Sequence, residues 1–348
     1  MVRRPTKRSA AEEASACDGL GEIEIIERFF APLSRAAPGA FGLEDDAAAL
    51  AVPAGSDLVV TSDVVVGGVH FFPDDAPADI AHKALAVNVS DLAAKGAEPL
   101  AYNLNIALPG APREAWLAAF AGGLEAAQDA WGLALIGGDT TASPASLMIA
   151  ITAFGLAPSG KMVRRGGAAP GDSVYVSGTI GDAYLGLKIR RGDADTDDWG
   201  LAPGERKALV SRYLRPEPRL GLREALRAHA SASLDVSDGL LLDFSRLCRV
   251  SCVDGQIRLR ETPLSPACRK AVMRRSELLS ELHSAGDDYE ILCSVKGGRG
   301  SAFENAAAAA GVPVTRIGEI VSSGGEAAVI GPDGVLTAPH RRGYEHFR

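Results

Sequence analysis

Apolar residues recur along this chain at two periods, and the changes of period mark out its elements. From Gly21, GEIEIIERFFAPLSR carries apolar side chains at helical spacing and reads as the first helix. DAAALAV (46–52) and DLVVTSDVVV (57–66) read as strands. PADIAHKALAVNVSDLAAKGA (77–97) has proline in its first turn and an apolar stripe, which predicts a helix with Asn88 and Asp91 three apart on one face. EPLAYNLNIAL alternates as a strand does. PREAWLAAFAGGLEAAQDAWG predicts a second long helix, weakened by Gly122-Gly123. LALIGGDTT is a short strand running into a glycine turn, and SLMIAITAFGLA is a further strand.

The segment PSGKMVRRGGAAPGD (158–172), rich in Gly, Pro and Arg, reads as a crossover between two domains. Beyond it SVYVSG, SASLDVSDG, DYEILCSV, VTRIGEI and EAAVIGPDG read as strands. AYLGLKIRRG, ERKALVSRYL, PRLGLREALRAHA, LLLDFSRLCRVS and SAFENAAAAAGV read as helices. The pattern predicts an α/β protein of the α+β type with a disordered tail (1–20), an N-terminal domain (21–158) and a C-terminal domain (159–348). A length of 348 residues suits two domains.

Composition narrows the chemistry. Hydrophobic content of 47% with 23% charged residues is globular. A formal net charge of −8 excludes the basic stripe of a nucleic-acid-binding surface. It also disfavours unassisted binding of a polyphosphate, so a metal bridge is implied. Five cysteines without a C-x-x-C read as reduced thiols of a cytoplasmic protein, with Cys248 and Cys252 as buried small hydrophobes. No apolar stretch approaches 18 residues, so no membrane span is expected.

Six aspartates sit in short motifs: Asp46 in GLEDDAAAL, Asp63 in TSDVVVGGVHF, Asp91 in AVNVSDLAAKGAEP, Asp139 in IGGDTT, and Asp235 and Asp238 in LDVSDGL. Two carboxylates about 4 Å apart repel by roughly 1 kcal/mol in water and roughly 4 kcal/mol at an effective dielectric of 20. Gathered by a fold, they need cations, and hard oxygen donors select magnesium or calcium. Thr61 and Ser62 add hydroxyls beside Asp63, and Gly138 lets the backbone approach a phosphate. Taken singly, each motif favours a strand end, a turn or a helix cap; together, in this order and spacing, they do not. GLAPSGKM (155–162) misses a lysine-bearing phosphate loop, since Met162 stands where Ser or Thr must ligate magnesium. Asp193–Gly204 misses a calcium loop at its sixth and twelfth positions, occupied by Asp198 and Gly204.

The ordered set GLEDDAAA, TSDVVVGGVHF, KALAVNVSDLAAKGAEP, IGGDTT, RRGGAAPGDSVYVSG, LDVSDGLLLD, AGDDYEIL and GYEHF closely resembles the thiamine-monophosphate kinases, from Gly21 to Phe347. These belong to the wider group of aminoimidazole ribonucleotide synthetase-like ATP-using enzymes. The resemblance implies mixed sheets, with the N-terminal sheets of a homodimer joined. It implies direct in-line transfer of a phosphoryl group from ATP, the co-substrate, to thiamine monophosphate. It also implies several magnesium ions held by Asp46, Asp63, Asp91, Asp139 and Asp235 with Thr61 and Ser62, and a further ion held by Asp238. Asp139 and Asp238 then serve catalysis, and Gly138, Asp139, Arg165 and Ser237 contact the nucleotide. His70, Asp287 and Tyr344 hold the thiamine phosphate. One departure stands out: the family's usual G-G-E-D-Y-E reads Ala285-Gly286-Asp287-Asp288-Tyr289-Glu290 here, so the substrate carboxylate is one methylene shorter. The rival readings are a sister synthetase of the same group and a non-catalytic nucleotide- or metal-binding relative.

Overall fold

A computed structural model describes residues 20–331, 334–337 and 343. The expected tail, apart from Leu20, and Cys17 and Tyr344 lie outside the described residues. The chain enters through α1 (Glu22–Ile25), which widens into a π turn over Ile26–Phe30 and tightens into a 3-10 turn over Ala31–Ser34.

The first sheet has the order β1-β4-β2-β3, built from β1 (Ser56–Val66), β2 (Glu98–Pro109), β3 (Leu135–Ser143) and β4 (Met148–Pro158). β4 runs antiparallel to both its neighbours, while β2 and β3 are parallel. Two helices, α2 (Pro77–Ala94) and α3 (Glu114–Trp131), cover one face with a core that includes Leu85, Leu92, Phe120, Leu104 and Ile151. Alternation along β1 shows the two faces: Val59 and Val65 are buried, while Val60 and Val64 are exposed.

The second sheet has seven strands in the order β11-β10-β7-β9-β5-β8-β6. They are β5 (Ser173–Ser177), β6 (Ala230–Val236), β7 (Val253–Arg258), β8 (Glu290–Val295), β9 (Val314–Ser323), β10 (Ala327–Ile330) and β11 (Leu336–Thr337). Only β10 and β7 pair in parallel. Between the strands run α4 (Asp182–Arg191), α5 (Pro203–Leu214), α6 (Arg223–His229), α7 (Leu240–Ser251), α8 (Pro266–Arg274), α9 (Leu278–Ser284) and α10 (Gly300–Ala309). The mixed α/β architecture matches the expected class.

α2 joins the two halves. Ala93 and Ala94 at its C-terminus pack with Leu222, Leu226 and Ile291 of the second half. Just beyond it, the Lys95 ammonium donates to the Ser233 carbonyl at 2.5 Å, and the Arg227 guanidinium donates to the Gly96 carbonyl.

Several elements depart from the sequence expectation. DAAALAV forms no strand: Ala47 to Ala49 are exposed and the Ala49 N–H donates to Gly39 O at 2.8 Å. Alanine gives a pleated neighbour little to pack on. VDGQIR was not expected as a strand because Gly255 interrupts it. A Cβ there would lie 2.6 Å from the Phe244 ring and 2.9 Å from the Cys248 sulfur, so glycine is what lets β7 lie under α7. The short helices α8 and α9 also lacked a readable period. Cys248 is buried as expected, but Cys252 is exposed, standing past the end of α7 with φ 54°.

Gly122-Gly123 does not break α3, because Gly123 is a contact point. A Cβ there would sit 2.6 Å from the Ala78 Cα on α2. Gly123→Val should therefore force the two helices apart and lower stability by about 1–3 kcal/mol. Urea unfolding monitored by circular dichroism checks this; an unchanged midpoint would contradict the close approach.

Candidate active site

A cleft of about 740 Å³ opens between the two halves. Asp63 of β1, Asp91 of α2, Asp235 of β6, and Ser237 and Asp238 of the β6–α7 turn line it. His70 and Asp287 line the same space. Each carboxylate arrives on a different element, and specific bonds fix its place. Asn88, fully buried on α2, accepts from the Asp63 N–H at 3.1 Å and donates to Ala84 O at 3.1 Å, which clamps β1 to the helix. Thr61 Oγ1 donates to Asp91 Oδ2 at 2.5 Å. Ser90 donates to Asp235 at 2.7 Å, linking α2 to β6. Arg246 on α7 donates to both Asp238 and Asp243.

Crowding shows in the proton affinities. The Asp63 carboxyl is pushed up to about 6, first by burial and then by Asp91 and Asp238. Asp235 is pushed well above the usual carboxylate range by burial and by Asp91. Lys95 stands behind them: burial lowers its ammonium to about 8 against the pull of Asp235 and Asp91, and Arg165 lowers it further. No three His, Cys, Asp or Glu side chains among the described residues converge on one point as a closed metal cage would require. That donor set still fits magnesium, which takes one or two carboxylates and fills its octahedron with waters and phosphate oxygens.

The structure does not gather all six predicted aspartates. Asp46, Gly138 and Asp139 line a second cleft of about 580 Å³, together with Asn103, Asn105 and Phe154. The sheet register explains the separation. Asp63 lies level with Ile151, Leu104 and Gly138 across the four strands. Asp139 is one residue further on and pairs with the exposed Asn105, so alternation turns it to the face opposite Asp63. Three strand spacings also separate the two strands, about 14 Å. Ser62 is a second correction. It points away from its neighbours Thr61 and Asp63, and its hydroxyl contacts Ile151 O at 3.2 Å and Thr152 Oγ1 at 3.0 Å. Arg165 belongs to the lining of neither cleft. Tyr344 lies outside the described residues.

In the same cleft, His70 Nδ1 accepts from the Val66 N–H at 3.0 Å, which assigns the ring proton of the neutral form to Nε2. The AGDDYE loop lies against the VSD turn: Asp287 N–H donates to Ser237 O at 2.8 Å, and Tyr289 N–H to Val236 O at 2.9 Å. Gly286 makes this possible, since a Cβ there would sit 2.2 Å from Ser237 O. Sequence reasoning missed Lys83, whose buried ammonium meets Asp287 at 3.0 Å, and also Tyr184 and Glu281 at the cleft wall, bonded to each other at 2.7 Å. Lys83 falls on the same helical face as Val87 and Asp91 by the i, i+4 rule, which was the available signal.

Comparison with known proteins bears on this arrangement. The AIR synthase related protein N-terminal domain profile matches residues 44–157, and the C-terminal domain profile matches residues 169–331. A thiamine-monophosphate kinase of Caulobacter vibrioides is 42% identical over 93% of this chain and 90% of its own length. The chain belongs to the thiamine-monophosphate kinase family. A crystal structure of thiamine-monophosphate kinase from Stenotrophomonas maltophilia K279a superposes with a TM-score of 0.75 at 38% identity, covering 84% of this chain and 90% of that one. AaThiL complexed with AMPPCP and TMP superposes with a TM-score of 0.74 at 28% identity, covering 89% and 97%.

In this family member, the loop carrying Asp287 is anchored from behind by Glu290, which is fully buried. Glu290 accepts from Arg219 Nε at 2.7 Å, Arg212 at 2.9 Å and Ser177 Oγ at 2.6 Å. Removing one partner of such a set leaves uncompensated charge, at a cost of about 3–5 kcal/mol. Glu290→Ala should lower the unfolding free energy by that order, measured in guanidinium chloride. A loss under about 1 kcal/mol would show that the arginines do not depend on it.

Proposed function

We propose that the cleft between the halves transfers the γ-phosphoryl group of ATP to thiamine monophosphate, giving thiamine diphosphate and ADP. The observation that carries this is the cleft itself: four carboxylates, from both halves of a thiamine-monophosphate kinase family member, line it together with His70 and Asp287. AaThiL was solved with AMPPCP, a methylene analogue of ATP, and TMP, and this chain covers 97% of it. An oxygen of the acceptor phosphate attacks the γ-phosphorus in line, and the bond to the β,γ-bridging oxygen breaks, releasing ADP. Such transfer needs positioning and charge neutralisation more than a nucleophilic side chain. No cysteine is part of the cleft lining among the described residues.

Asp63, Asp91, Asp235 and Asp238 are the residues we assign to magnesium. Bound there, magnesium would offset the charge of the carboxylates and of the triphosphate. The chain's own groups do the rest. Thr61 and Ser90 hold Asp91 and Asp235 in place, and Arg246 restrains Asp238. Ser237 faces the nucleotide side. His70 and Asp287 face thiamine monophosphate. ATP as co-substrate places this chemistry in the cytoplasm, and no helix among the described residues is long and apolar enough to cross a membrane.

We further propose a homodimer that covers the outer face of the first sheet. Leu58, Val60, Val64 and Met148 stand 37–53% exposed on β1 and β4. A contiguous exposed apolar face of this kind is the mark of an interface. The second cleft, with Asp46, Gly138 and Asp139, opens on this same face, so we assign those residues to a nucleotide-side role completed in the dimer. Light scattering should report twice the chain mass at micromolar concentration. A fully active monomer would contradict this assignment.

Thiamine diphosphate formation by the purified protein with ATP and magnesium tests the reaction. Asp63→Asn should lower turnover at least a hundredfold while the melting temperature holds or rises, because a crowded charge is removed. Asp139→Asn should also lower it strongly. Asp139→Asn activity within threefold of the parent would remove the second cleft from the reaction; the same result for Asp63→Asn would remove the first.

A further inference from the structure

Lys83 is the least expected charge in the molecule. It lies on α2 at 2% exposure, with its ammonium in the wall behind the cleft. Burying an ammonium costs several kcal/mol unless partners compensate it. Two do. Asp287 Oδ2 lies 3.0 Å from Nζ, and the Tyr213 ring of α5 lies under Nζ at 3.8 Å from its centroid. A desolvated cation is attracted to the face of an aromatic ring.

Asp287 is itself held in an unfavourable state. Its φ is 72°, in the left-handed region, and Tyr289 two residues on has φ 50°. Such residues are strained and persist only where the surroundings over-determine them. The Ser237 carbonyl, the Tyr289 hydroxyl at 3.4 Å from Oδ1, and Lys83 at Oδ2 supply that constraint. The short aspartate side chain on this backbone gives its carboxylate one direction. Tyr213 extends the link, since its hydroxyl donates to the His70 carbonyl at 3.2 Å. One ammonium thus ties α2 to the Asp287 loop directly and to the His70 turn through Tyr213. Neither bond is made to the carboxylates of Asp63, Asp235 or Asp238 themselves; the Asp287 loop meets their turn only through its backbone.

We propose that Lys83 is a positioning residue for the thiamine monophosphate side of the cleft. It fixes the Asp287 carboxylate, and through Tyr213 the His70 turn, in the geometry that receives this substrate, and it leaves ATP binding untouched. The inference rests on the kinase reading above. It also accounts for the shorter carboxylate at position 287: where reach is lost, a fixed direction set by a buried cation takes its place.

The test is steady-state kinetics on Lys83→Met, Asp287→Asn and the double variant, with each substrate varied in turn. Lys83→Met should raise the KM for thiamine monophosphate tenfold or more and leave the KM for ATP within twofold. The double variant should be no worse than Asp287→Asn alone, because both act through one carboxylate. Lys83→Arg, which keeps the charge, should recover part of the loss, and it carries the same readout if Lys83→Met does not fold. Equal rises in both constants, multiplicative effects of the two substitutions, or a thiamine monophosphate KM unchanged in the folded variants would overturn the proposal. Failure of the wild type to form thiamine diphosphate would instead overturn the kinase reading, and the two results are distinct.

Discussion

Repulsion among carboxylates at the junction of two sheets is the constraint on which this structure depends. Asp63, Asp91, Asp235 and Asp238 come from β1, α2, β6 and the β6–α7 turn, and no one element carries them all. Burial and mutual proximity raise the proton affinity of Asp63 and Asp235. A fold that assembles such a wall must hold it rigidly. Asn88, Thr61, Ser90 and Lys95 each bridge α2 to a strand of one half or the other. α2 is therefore both the joint between the halves and the scaffold of the site. The apolar residues Leu85 and Leu92 bury the same helix in the first core.

The opposite wall works by the same logic with the signs reversed. Glu290 is a buried anion compensated by Arg212 and Arg219, and Lys83 is a buried cation compensated by Asp287 and the Tyr213 ring. Removing a partner from either set is costly because the remaining charge has no water to turn to. That cost keeps the AGDDYE loop in one position, with positive φ at Asp287 and Tyr289. The Asp287 side is thus compensated within the chain, whereas Arg246 and Lys95 offset only part of the charge of the four aspartates.

Much of this was legible in the sequence. The helix over 77–97 with Asn88 and Asp91 on one face, the strand carrying Asp63 and the strand-to-helix turn at Asp235 and Asp238 follow from period and turn chemistry alone. Two things were not legible. Facing is decided by single-residue register, and that register put Asp139 and Ser62 on the side of the sheet opposite Asp63. Long-range charge pairing was also hidden: Lys83 shares a helical face with Asp91, but its partner Asp287 lies 204 positions away. The strand predicted over 46–52 failed because its alanines find no neighbouring strand, and β7 was hidden because its central glycine serves packing under α7.

The central claim is that the acidic wall admits a triphosphate only with a divalent cation. Calorimetric titration of ATP into the purified protein, with magnesium and with EDTA in its place, tests it most directly. The account predicts saturable binding with magnesium and none detectable in EDTA at the same ATP concentrations. Equal affinity under the two conditions would contradict it, because the carboxylates would then be accepting the triphosphate without charge compensation.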